Sequence, residues 1–110
     1  MSKSRYPIVA PAFMIEQLNE AGLSPDDMEE FMPGIANGVF RLNKEQLVYP
    51  PRTKAEDEGF CAWSYNFDEA DGKLYLSPDQ PHYLKKGDTR PVFVWEGDLK
   101  KFVRARRKRK

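Results

Sequence analysis

Residues 59–78 read GFCAWSYNFDEADGKLYLSP, two β-prone runs, Phe60–Phe67 and Leu74–Ser77, joined by a polar segment containing Asp71-Gly72. Asp-Gly between alternating apolar residues signals a hairpin, because glycine accepts the positive φ that tight turns require. Alternation gives each strand two faces. Cys61, Trp63, Tyr65 and Phe67 share one, while Phe60, Ala62, Ser64 and Asn66 share the other. A two-residue Asp71-Gly72 turn pairs Phe67 with Leu76 and Glu69 with Leu74; a loop over Glu69–Gly72 instead pairs Phe67 with Leu74 and Tyr65 with Leu76. Both registers gather Trp63, Tyr65, Phe67, Leu74 and Leu76 on one face, which a one-residue slip would not do. That face is the expected core. The opposite face is thin and open to a helix or to a second copy of the chain, so a homodimer is one expectation. Tyr75 lies on it and is the sheet aromatic expected to be exposed to a partner.

The flanking sequence extends the hairpin into an α+β domain. Residues 1–10 read as an extended arm, with Tyr6, Ile8 and Val9 available to pack or to add an edge strand. Pro11 suits the first turn of a helix over Phe13–Ala21, with Met14, Leu18 and Ala21 at helical spacing and Gly22 as the stop. Ser24 caps a second short helix with Pro25 at its first position and Asp26 and Asp27 in its first turn, where the helix dipole favours acids. Met28, Phe31 and Met32 form its apolar stripe. Val39–Leu42 and Gln46–Tyr49 are expected to form a small hairpin about Asn43-Lys44-Glu45, followed by a polar connection over Pro50–Gly59. Val92–Trp95 is apolar on both faces and reads as a covered, central strand. Gly97-Asp98 then opens an expected C-terminal basic helix, with Leu99, Phe102 and Val103 as its stripe. The expected architecture is thus an N-terminal helical hairpin, an antiparallel sheet of about four to five strands, and a basic C-terminal helix. Residues 1–103 form the globular domain and 104–110 a basic tail continuing the last helix.

With 110 residues the chain is of ordinary single-domain size. No apolar run approaches the roughly 20 residues needed to span a bilayer, and the N-terminal residues lack the apolar stretch of a secretory signal. Cys61 is the single cysteine, which excludes an intrachain disulfide and a cysteine-based zinc cluster and suits a reducing cytoplasm. The net charge of +1 conceals a split. Lys100, Lys101, Arg104, Arg106, Arg107, Lys108, Arg109 and Lys110 are eight cations without an acid among residues 99–110, whereas residues 1–98 hold 10 basic and 17 acidic residues, a net of −7.

That split directs the functional reading. A dense basic run binds phosphates through counterion release, so those eight residues are the expected contacts to a nucleic acid, DNA or RNA, bound with weak sequence preference. In a eukaryotic source the same run would serve as a nuclear import signal. The alternative is a protein-binding module or inhibitor, of a kind that phages and viruses encode. It would act on a host protein through an acidic helical surface of Asp26, Asp27, Glu29 and Glu30 together with Tyr75. Gln17–Met32 has the outline of a helix-turn-helix, but its second helix would present four acids to phosphates, and groove readers bring Arg, Lys, Asn or Gln. Catalytic readings are weak: Cys61 sits on the core face, and His82 has no acid partner at a defined spacing. The acids at Glu56–Glu58 and Asp68–Asp71 lack calcium-loop spacing. No enzyme, metal or cofactor is expected.

Overall fold

The computed structural model describes residues 6–43, 45, 47, 50–51, 54–59, 61–78 and 83–105. The chain runs in the order β1 (Ile8–Val9), α1 (Ala12–Glu20), α2 (Pro25–Phe31), β2 (Asn37–Leu42), α3 (Lys54–Asp57), β3 (Cys61–Asp68), β4 (Lys73–Ser77), β5 (Val92–Glu96) and β6 (Lys101–Arg104). The strands make one six-stranded sheet in the order β2-β3-β4-β1-β5-β6.

The β3–β4 hairpin adopts the longer-loop register, with Phe67 opposite Leu74, Tyr65 opposite Leu76 and Asp68 opposite Lys73. Gly72 takes a φ of 70°, and the Asp68 and Asp71 carboxylates accept backbone N–H bonds from Ala70 and Lys73. Trp63, Leu74 and Leu76 are buried on the face so formed, and the Phe40 ring meets Trp63 edge-on at 5.2 Å. The helices α1 and α2 cover this face. Met14 and Leu18 of α1 and Met28 of α2 are sealed from solvent, with Met32 just beyond. Ser24 caps α2 by a reciprocal box: its Oγ accepts the Asp27 N–H, and its own N–H donates to Asp27 Oδ2 at 2.9 Å.

The sheet departs from the expected one in several ways. Among the described residues it is mixed and has six strands, not an antiparallel set of four or five, because the N-terminal arm inserts at its centre. β1 runs parallel to β4 (Ile8 opposite Leu74) and antiparallel to β5 (Ile8 opposite Phe93). Apolar Ile8 and Val9 are buried there, and the two hairpins meet across them. β2 pairs with β3, Phe40 opposite Trp63. Of the strand expected at 46–49, positions 46, 48 and 49 lie outside the described residues, and Leu47 packs against the core.

The C-terminal basic helix is not formed. Residues 101–104 are β6, antiparallel to β5 with Val103 opposite Val94 and Phe102 opposite Trp95. Three apolar residues at helical spacing are too short a signal to exclude a strand. Here the partner strand decides: Phe102 is buried against Trp95 at a ring separation of 5.0 Å, while Leu99, which the helix would have buried, is 58% exposed. Lys100 takes a left-handed φ of 56° and turns the chain into β6. The boundary expected at 103 lies within β6, and positions 106–110 of the expected tail lie outside the described residues.

The second face is also less open than the sequence suggests. Val9, Tyr75 and Leu84 form a small second core with Val92 packed against it. Arg90 holds this covering segment down, donating to Asp88 and to the Leu76 carbonyl at 2.5 Å, an acceptor beyond the end of two-residue β1. Ser64 and Ser77, opposite one another, are buried as well.

Candidate functional site

Lys100, Lys101 and Arg104 are all exposed at the β6 edge of the sheet. A strand distributes them differently from a helix. Lys101 shares a face with Val103 and stands opposite Glu96, whereas Arg104 falls on the face of Phe102. The continuous cationic stripe expected of a helix is replaced by two short groups on opposite faces of one edge. Arg106, Arg107, Lys108, Arg109 and Lys110 lie outside the described residues.

Acids of α1 stand close to part of this edge. Glu16, Asn19 and Glu20 line a groove of about 450 Å³ with Leu99, Lys100 and Lys101. The sequence singles out the acids of the second helix as a binding surface, yet the acids beside Lys100 and Lys101 are Glu16 and Glu20 of α1. The signal was present in the i, i+4 spacing of Glu16 and Glu20, but nothing local links α1 to residues 99–101. Asn19 makes that link: its side-chain amide donates to the Phe102 carbonyl at 2.9 Å and accepts the Phe102 N–H at 2.7 Å.

The residues expected to form an acidic partner surface do not act alike. Asp26 and Glu30 are exposed, while Asp27 is committed to the α2 cap. Glu29 turns instead to a second cleft, of about 430 Å³, shared with Tyr6, Asn37, Asn66, Phe67 and Glu69. Asn37 and Asn66 are cross-strand partners, and Tyr6 meets the Phe67 ring edge-on at 6.2 Å. The chain enters β2 beside this cleft through two left-handed residues, Gly34 and Ile35. Its residues come from four separate places in the chain, so no linear motif announces it.

Tyr75 is not available to a partner. It is buried to 7% exposure, and its hydroxyl donates to Asp71 Oδ2 at 2.6 Å. Burial, reinforced by this bond to a carboxylate, raises its pKa to about 12. The same hydroxyl holds the Asp71 carboxyl below its ordinary range, and the Arg90 guanidinium does the same to Asp88.

Cys61 is buried in the core, its thiol directed to Glu56 at 3.7 Å, and His82 lies outside the described residues. Among the described residues no group of three or more His, Cys, Asp or Glu side chains is placed to hold a metal ion, and no helix is long and apolar enough to cross a membrane. Comparison with protein-family models, with curated proteins and with solved structures finds no match to this chain.

Proposed function

We propose that the protein is a non-enzymatic, nucleic-acid-associated protein that lays a basic sheet edge, and the basic run following it, along a phosphate backbone. The observation that carries this reading is the continuity of charge. Exposed Lys100, Lys101 and Arg104 lead directly into Arg106–Lys110, eight cations with no acid, on a body of net −7. Such a segment gains affinity from released counterions and reads little sequence. The two faces of β6 carry few cations each, and Glu16 and Glu20 sit beside Lys100 and Lys101. Most of the attraction therefore falls to the run after Ala105.

The test is fluorescence anisotropy of a labelled oligonucleotide at two salt concentrations. It compares the full chain with a variant in which the eight cations are replaced by Gln. The expected result is binding that weakens steeply as salt rises and is lost in the variant. Absence of binding at low salt, or binding indifferent to salt, overturns the proposal. The alternative reading, a module that holds a basic host protein through exposed Asp26 and Glu30, predicts a nuclease-resistant protein complex that is lost on neutralising those two acids.

A further inference from the structure

We propose that the cleft between α2 and the β3–β4 turn is a receptor for the basic run Arg106–Lys110 of a second copy of this chain, joining molecules head to tail. The argument starts from the chemistry of its walls. Glu29 and Glu69 bring carboxylates from two separate elements, Asn37 and Asn66 add amide oxygens, and Phe67 and Tyr6 supply an aromatic base. Carboxylates and amide carbonyls accept hydrogen bonds from guanidinium or ammonium, and an aromatic surface carries the aliphatic stem and attracts the cation. At about 430 Å³ the cleft holds one or two Arg or Lys side chains, not a folded domain.

Charge complementarity identifies the occupant. The residues from 1 to 98 carry a net of −7, and the positive charge of the sequence is concentrated in Arg106–Lys110 with its three preceding cations. The run is poorly placed to reach the cleft of its own molecule. Ala105 donates to the Val92 carbonyl beside β6, and between β6 and β3 lie four strand spacings, about 19 Å. Five residues span at most about 17 Å, so only side chains at the tip of a run turned fully back across the sheet could approach the cleft. β6 points toward the end of the sheet away from Phe67 and Glu69. A neighbouring molecule meets neither limit. The contact is heterologous, so it propagates into open chains or closes into a ring. It holds whether or not the run also meets nucleic acid, and a bound polyanion would compete with it.

Two measurements on the full chain test this. In the first, the peptide Arg-Arg-Lys-Arg-Lys is titrated into isotopically labelled protein at low salt. The expected result is that the backbone amide signals of Asn37, Asn66 and Phe67 shift, and that Glu29→Gln with Glu69→Gln weakens the peptide about tenfold. Shifts confined to Glu16, Glu20, Asp26 or Glu30, or no shifts at all, overturn the proposal. In the second, sedimentation follows that cleft variant and a run variant with Arg106, Arg107, Lys108, Arg109 and Lys110 changed to Gln. Each alone is expected to stay monomeric where the natural chain associates, while the mixture forms a one-to-one dimer, since each supplies what the other lacks. A mixture that remains monomeric, a cleft variant that self-associates like the natural chain, or a natural chain that is monomeric at low salt rejects it.

Discussion

The Asn19 side chain satisfies both the N–H and the C=O of Phe102, at 2.7 and 2.9 Å, on the side of β6 that faces away from β5. One residue of α1 thus stands in for a seventh strand at the point where this edge would otherwise be open to another chain. Asn19→Ala leaves two backbone groups without partners and should cost about 1–3 kcal/mol in urea denaturation. Asn19→Asp should cost a similar amount, because a carboxylate accepts the Phe102 N–H but repels its carbonyl. Glu20→Ala, one residue on and exposed, should change stability by no more than about 0.5 kcal/mol.

Gly38 stands opposite Tyr65 with a φ of 151°, and a Cβ built there would lie 3.1 Å from the tyrosine hydroxyl. Gly38→Ala should therefore destabilise by about 1–3 kcal/mol through crowding and backbone strain together. The crowding part is separable. In a double-mutant cycle, Gly38→Ala with Tyr65→Phe should lose less than the two single changes added together. Strict additivity would assign the whole effect to the backbone.

The titration of Tyr75 has a definite sign. Its folded pKa of about 12 lies above the ordinary 10.0, so its contribution to stability is intact below pH 10 and is lost as pH rises toward 12. Absorbance of tyrosinate should show one late-titrating residue that Tyr75→Phe removes. Asp88 runs the other way. Held down by Arg90, it stabilises the fold above its ordinary 3.8, and that contribution is lost as pH falls through its lower folded value. Asp88→Asn should flatten the acid limb of the stability curve and leave the alkaline limb unchanged.

Trp63 is 2% exposed and touches Phe40 across the β2–β3 pair. Trp63→Ala should cost about 3–5 kcal/mol by chemical denaturation. Ser64, its neighbour on the opposite face, is buried too. Ser64→Ala should accordingly cost about 1 kcal/mol, where a residue on an open face would cost nothing measurable.

What the sequence reveals and what it hides divides along the range of the contacts. The β3–β4 pairing was narrowed to two registers with one core face, because turn residues and alternation act over a few positions. The Ser24 cap on α2 was legible for the same reason. The position of Ile8 and Val9 was not, since two apolar residues in an arm carry no mark of whether they join a sheet at its rim or at its middle. Phe102 and Val103 fit a helix face and a strand almost equally. Trp95 and Val94 settled the matter, and that pairing depends on how the β5–β6 turn closes. Tyr75 has the parity of an exposed residue; Leu84, carried by a connection without periodic pattern, is what buries it. Of the candidate sites, the basic residues were visible as composition. The cleft of Glu29, Asn66 and Glu69 exists only once distant segments have been brought together.

The two residues of β1 have a consequence for the order in which the molecule assembles. The β3–β4 and β5–β6 hairpins each close over short loops, so each can form quickly on its own. Joining them requires Ile8 to find Leu74 on one side and Phe93 on the other, closing most of the chain into a loop. As the ribosome releases the chain, the arm emerges well before Leu74 and Phe93 and must wait for them. Its amide protons should be among the slowest to exchange in the native state, yet among the last to gain protection during refolding. Substitutions at Ile8 that keep its volume should slow folding little, whereas Ile8→Ala should mainly hasten unfolding, the signature of a contact made after the transition state.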